Sequence, residues 1–420
     1  MPAIHDTDAG GPSPRAASHP YRWFALAGVW LLYYCFGLTS TAMAPLVGTI
    51  TAELGLSHAA MGSVLGAWPL VYIAFAIPAG ALVDRFGLGR ALFAAAVVIA
   101  LSGWARAHAD GHLSLFLAVA LFGLGGPLVS IGAPKLISQW FAGPDRGTAM
   151  GIYITGPALG GITALSLTNS VLMPWLDGQW RQVLLVYAGV TLLAGIVWLL
   201  VARHPARHLV SSPPPPPGLR GQLGVFATLV RVPGVRLVLA MSVGVFFFNH
   251  GLNNWLPEIL RSGGMDARTA GYWASLPTVV GVAGSLVIPR LAVPSRRIAI
   301  LLALFACAGV ATLLIGQGAG PGLALGLVAQ GVARSSMMTI AMLVLMELPE
   351  VGARHMGAAG GLFFSAAEIG GVLGPLGIGV VSDLSGGFDA ALATLTGICG
   401  LLAVSAVALG RMQRRGAAVP

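Results

Sequence analysis

The chain has 420 residues, of which 56% are hydrophobic and 9% charged, with a mean hydropathy of +0.84. A water-soluble globule carries about a quarter of its residues as charges, so this composition excludes one and points to a polytopic helical membrane protein. The formal net charge of +9 does not call for a nucleic-acid partner, because the basic residues sit in short loops between apolar runs, and those runs are continuous, which excludes an alternating β-barrel pattern.

Residues 1–21 are polar, with no basic-then-apolar pattern before a small-residue cleavage site, and read as an uncleaved, disordered tail. A crossing needs roughly 20 apolar residues, and the first is expected near 22–49, with Tyr33 and Tyr34 as candidate cavity hydroxyls. The second, near 59–83, runs into the turn Gly80-Ala81-Leu82-Val83-Asp84-Arg85-Phe86-Gly87-Leu88-Gly89-Arg90. Asp84 there is placed to accept from helix N-terminal amides, and Arg85 and Arg90 to hold the turn at an anionic lipid surface. Through Gly80, Asp84, Arg85, Gly87 and Arg90 the turn resembles the cytoplasmic loop between helices 2 and 3 of the major facilitator superfamily, although Leu88 and Gly89 stand where that family usually has basic residues.

Crossings three and four are expected near 90–107 and 113–138, the fourth bearing Lys135, the single lysine of the chain. Lys135 reads either as a snorkelling interfacial group or as a second positive group on an anion's exit path. The fifth, near 147–172, carries Gly151-Ile152-Tyr153-Ile154-Thr155-Gly156-Pro157-Ala158-Leu159-Gly160-Gly161, glycines on a helix face with a proline that removes one backbone bond. Gly151, Gly156, Pro157, Gly160 and Gly161 resemble the fifth-helix motif of antiporters in the same superfamily. The eleventh crossing repeats much of this as Gly370-Gly371-Val372-Leu373-Gly374-Pro375, so the motif alone does not mean export. Tyr153 is a third candidate hydroxyl.

After a sixth crossing near 180–202, a polar stretch contains Pro213 to Pro217, an extended spacer between two halves. The seventh, near 236–260, holds Asn249-His250-Gly251-Leu252-Asn253-Asn254-Trp255-Leu256-Pro257-Glu258, from which Asn249, Asn253 and Trp255 are read as part of a site and outer gate, His250 as a proton site, and Glu258 as interfacial. Crossings eight and nine follow near 270–292 and 297–317. The tenth, near 321–346, places Arg334 at mid-depth with Gln330 one turn away and Ser335 and Ser336 beside it. A charge there costs about 2.5–3.5 kcal/mol and needs a reason; a forked, permanently charged donor suits a carboxylate or a small linear anion. The alternative is an ion pair with Glu368, the acid at mid-depth of the eleventh crossing (357–381), which is also the candidate proton carrier. A twelfth crossing is expected near 388–410.

Arginines crowd the loops on the side of the termini, such as Arg85, Arg90, Arg146, Arg203 and Arg296, whereas Arg106, Arg181, Arg261 and Arg268 are assigned to the other side. Both termini are therefore expected in the cytoplasm, with the chain multi-pass in the inner membrane. The expected fold is an all-α membrane protein of twelve helices in two pseudo-symmetric six-helix bundles, 22–203 and 236–410, joined by a linker at 204–235 and followed by a tail at 411–420. Cys35, Cys307 and Cys399 fall in apolar runs without metal-ligand spacing, and no nucleotide loop or nucleophile-base spacing is present, so no enzyme, metal or cofactor is expected.

The segments Ala133-Pro134-Lys135-Leu136-Ile137, Trp140-Phe141, Arg146-Gly147, Gly151-Ile152-Tyr153 and Asn254-Trp255-Leu256-Pro257 are similar to the cyanate and nitroimidazole permease branch. That resemblance implies proton-coupled uptake of a small organic or inorganic anion by alternating access, and a monomer suffices for the architecture. A proton-driven exporter of a drug or metabolite is the second expectation, and a ligand-sensing receptor on a carrier fold the third.

Overall fold

A computed structural model describes residues 18–206, 224, 226–318, 320–348 and 350–417. The expected tail up to residue 17 and the Pro213–Pro217 spacer lie outside the described residues. Among the described residues, twelve helices are long and apolar enough to cross a membrane, and they are numbered here as spans 1 to 12: Tyr21–Leu54, His58–Ala76, Leu88–Ala107, His112–Trp140, Gly143–Trp175, Trp180–Ala202, Pro233–Ser262, Ala267–Leu291, Pro294–Ile315, Pro321–Met346, Ala358–Ser385 and Asp389–Arg414. The helix of span 2 continues to Phe86. Large apolar side chains such as Leu193, Leu200, Leu313, Leu401 and Val404 are exposed, as a lipid-facing surface requires.

The interruptions follow local chemistry. Span 1 breaks after Thr41 into a short 3-10 turn at Ala44–Leu46, where Pro45 withholds a backbone donor, and resumes as Val47–Leu54. Ser57 caps span 2 by accepting from the Ala60 amide, and Asp266 caps span 8 by accepting from the Arg268 and Thr269 amides. Between spans 2 and 3 the chain reverses at Gly87, whose φ of +78° a side chain would resist. Asp84, expected to cap a helix, is instead ion-paired with Lys135 of span 4.

Within each half, glycines bring two helices into backbone contact. A methyl group at Gly160 of span 5 would stand 2.6 Å from the Leu38 nitrogen of span 1, and one at Gly156 would stand 3.1 Å from the Tyr34 nitrogen. The second half repeats the device: a methyl at Gly370 of span 11 would lie 2.8 Å from the Phe247 nitrogen of span 7, and one at Gly374 would lie 2.9 Å from the Gly251 nitrogen. A methyl at Gly161 would stand 3.2 Å from Thr41 Oγ1, but one at Gly151 would meet nothing within 4 Å, so Gly151 is outside the seam.

The halves meet at the end opposite the termini. Span 2 crosses span 11 where a methyl at Gly66 would stand 2.8 Å from the Val372 carbonyl oxygen and one at Gly62 would press on the backbone of Pro375 and Leu376. Asp383 at the foot of span 11 accepts from the His58 amide (3.0 Å) and the Ala59 amide (2.7 Å), capping span 2 from the other half. Asn169 of span 5 donates to the Pro45 and Ala267 carbonyls, which joins spans 1, 5 and 8. At the other end, Gly80, Gly147 and Gly361 have nothing within 4 Å. The described ion pairs there, Arg22–Asp145, Lys135–Asp84 and Arg297–Glu347, each stay within one half. This conformation is sealed opposite the termini and parted on their side.

Candidate functional site

Arg334 projects from span 10 and donates from Nη1 to Thr278 Oγ1 of span 8 at 3.1 Å. The side chain is half-buried, and among the described residues no acid pairs with it. The expected alternative, an Arg334–Glu368 ion pair, is therefore absent. Ser335 and Ser336 bond to each other, and Ser335 also to the Val332 carbonyl, so neither competes for the guanidinium.

Glu368 on span 11 is buried, and its Oε2 has no hydrogen-bond partner. Room for it comes from Gly371: a methyl there would stand 2.6 Å from Glu368 Oε2, 3.3 Å from His250 Nδ1 and 3.3 Å from Pro69 Cβ of the other half. Carboxyl and imidazole thus flank one point on the seam between halves. His250 also lies within electrostatic range of Arg334, so spans 7, 10 and 11 bring the three ionisable groups expected from the sequence into one cluster. Gln330 Oε1 and Asn249 Oδ1 are likewise buried acceptors without partners. Unpartnered buried acceptors cost about 1–3 kcal/mol each, and in this cluster each is a place where a proton or donor gains most.

Other expected residues fall elsewhere. Trp255 is fully buried and its indole donates to the Pro375 carbonyl at 2.9 Å, so it locks span 7 to span 11 instead of lining a gate. Asn254 turns back to the His250 carbonyl, while Asn253 is half-buried. Lys135 is held by Asp84 near the termini-side end of span 4, outside the cluster. Tyr34 is occupied by a hydrogen bond to Thr163 Oγ1 (3.0 Å) within the span 1–span 5 seam. Glu258 pairs with Arg261 one turn on, as an interfacial group does.

Arg106, read from the sequence as a charge at the far end of crossing three on the side opposite the termini, lies one residue from the end of span 3 and is 2% exposed. Its Nη1 donates to the Thr39 carbonyl at 3.0 Å and its guanidinium sits 5.5 Å from the Phe122 ring centre. No pattern in the sequence signals this burial, because Arg106 stands one residue from the end of an apolar run.

Facing the ionisable cluster, the first half presents a row of rings, of which the sequence singled out Tyr33 and Tyr153 but not Phe36, Trp68 or Tyr72. Tyr153 and Tyr33 stack (5.4 Å, 16°), Tyr33 meets Phe36 (5.5 Å), Phe36 meets Trp68 (6.2 Å), and Trp68 meets His250 across the seam (5.5 Å). His250 stacks in turn on Phe246 (5.3 Å, 19°). Tyr72 sits beside Trp68 (6.1 Å) and within electrostatic range of Glu368. Glycines of span 4 make room for these rings: a methyl at Gly123 would press on span 2 at Val71 (2.7 Å), and one at Gly126 on Phe36 (3.1 Å) and Tyr72 (3.5 Å).

Comparison with known proteins agrees with this architecture. A family model described as Major Facilitator Superfamily matches residues 29–375. An uncharacterised transporter of Bacillus subtilis is 28% identical over 87% of this chain and 89% of its own. A hexuronate transporter of the same organism is 23% identical, covering 83% and 85%, and a quinolone resistance transporter of Acinetobacter baumannii is 27% identical, covering 81% and 82%. Among solved structures, a mutant of the nucleoside transporter NupG superposes with a TM-score of 0.76 at 15% identity, covering 92% of this chain and 99% of that one.

Proposed function

We propose a carrier of small organic anions, from the premise that the chain belongs to the Major Facilitator Superfamily, a family of membrane transporters and not of enzymes. The observation that carries the anion is Arg334: a half-buried guanidinium at mid-span, with Thr278 as its hydrogen-bond partner and no described acid to neutralise it. Such a group is expensive in a membrane protein unless its charge is met periodically by something that arrives and leaves. The hexuronate relative carries an acidic solute by its name, which supports the same class. With the arginine-rich loops in the cytoplasm, the conformation sealed opposite the termini is the inward-facing one, and solute captured from outside is released through the parted side.

Glu368 and His250 supply the coupling. A carboxyl group without a partner is costly when ionised, so its proton occupancy is tied to what stands beside it, and it stands on the surface where the halves slide. Uptake with a proton is the direction this arrangement favours. The span 5 motif and the quinolone resistance relative favour the second reading, proton-driven export.

The test is thermal shift of the purified protein with a panel of carboxylates, cyanate, nitrate and cationic drugs, on wild type and Arg334→Ala. Stabilisation by carboxylates in wild type that vanishes in the variant is expected. Equal stabilisation of both proteins by cationic drugs, with none by anions, overturns the anion reading and leaves the exporter.

A further inference from the structure

The ring array on the first half determines what kind of carboxylate fits opposite Arg334. Tyr33, Phe36, Trp68 and Tyr72 each stay half-buried at the middle of a twelve-helix protein, where surplus apolar side chains would otherwise be sealed against a neighbour or turned to lipid. The hydroxyls of Tyr33 and Tyr72 converge on Ser130, and neither is among the buried polar atoms without a partner. Gly126 on span 4 backs the rings of Phe36 and Tyr72, and Gly123 lets span 4 lie against the span 2 backbone that carries Trp68 and Tyr72. Trp68 meets His250 across the seam at 5.5 Å, and His250 lies within electrostatic range of Arg334, so the rings and the anion anchor flank the same imidazole.

A hexose-derived acid needs a dense set of hydrogen-bonding groups around its several hydroxyls. The ring row offers three phenols, Tyr33, Tyr72 and Tyr153, and one serine on a bed of π faces, which matches a flat solute with a carboxylate at one edge. We propose that the solute is a planar aromatic monocarboxylate, its carboxylate on Arg334 and its ring against Tyr33, Trp68 and Tyr72 across the seam. The proposal rests on the anion-carrier reading above.

The experiment compares benzoate, cyclohexanecarboxylate and galacturonate, equal in charge, by calorimetric titration of the full-length protein in detergent. Ring-on-ring contacts are worth about three- to tenfold in affinity beyond area burial. Benzoate is therefore expected to bind wild type about three- to tenfold more tightly than cyclohexanecarboxylate. That preference is expected to disappear in Tyr33→Leu with Tyr72→Leu, to survive in Tyr33→Phe with Tyr72→Phe, and all binding is expected to be lost in Arg334→Ala. Galacturonate or cyclohexanecarboxylate binding as tightly as benzoate, in an Arg334-dependent way, overturns the aromatic proposal and leaves the anion carrier standing. Carboxylate binding that is absent in wild type, or unaffected by Arg334→Ala, overturns both. Should the leucine pair fail to fold, the wild-type ratio of benzoate to cyclohexanecarboxylate alone decides, a ratio near one overturning the proposal.

Discussion

Glu368 and Arg334 were legible as residues because each breaks an apolar run at mid-depth, and a charge in such a run has few explanations. Their relation to each other was not legible. An ion pair was an open alternative in the letters alone, and only the placement of Thr278 against Arg334, and of Gly371 beneath Glu368, separates the two groups. Trp255 shows the converse: surrounded by asparagines it reads as a gate residue, yet its indole is consumed by the Pro375 carbonyl. The separation has a kinetic consequence. Glu368→Gln keeps the shape and removes the titration, so pH-gradient-driven accumulation into proteoliposomes is expected to fall by at least tenfold while solute exchange across the same membrane persists. Loss of both activities together would place Glu368 in solute binding instead of coupling.

At the scale of helices, periodicity and punctuation carried most of the information. The twelve spans fall within a few residues of their expected limits, and the differences arise where polar turns extend a helix past its apolar run, as at Gly143 and Phe86. The glycine seam of span 5 was also visible as a pattern, but not which glycines it uses. Contact with span 1 is made by Gly156, Gly160 and Gly161, while Gly151 faces open space. Gly160→Val is expected to cost about 1–3 kcal/mol by overpacking against Tyr34 and Leu38, whereas Gly151→Ala is expected to be neutral or to stabilise by up to about 1 kcal/mol through helix propensity. Thermal unfolding of the two variants beside wild type checks the contrast; equal loss in both would mean that the seam is not where the bundle is tight.

For the whole molecule, the sequence predicted two six-helix halves but contained no trace of which ends touch. Contacts such as Trp68 with His250, or Asp383 with the amides of His58 and Ala59, join residues far apart in the chain and depend on the conformation adopted. The Asp383 contact is a helix cap supplied by the opposite half, present only while this end is closed. Removing it with Asp383→Ala is expected to cost the closed state about 0.5–2 kcal/mol, a roughly two- to thirtyfold shift toward the state open on this side. Disulfide-trapping rates between cysteines placed at Ser57 and Leu384 report that shift, and unchanged rates would show that the seal is held by the Gly62 and Gly66 crossing alone.

The pairing of Lys135 with Asp84 has a practical corollary. Guanidinium groups resist acylation under mild conditions, so in a chain whose other basic side chains besides histidine are arginines, one side-chain amine is available to an amine-directed reagent. That amine lies on the side of the molecule that is parted here, held by the acid of the turn between spans 2 and 3. Any rearrangement that draws Asp84 to another partner releases it, so acylation of this one side-chain amine reports whether the turn between spans 2 and 3 keeps its partner.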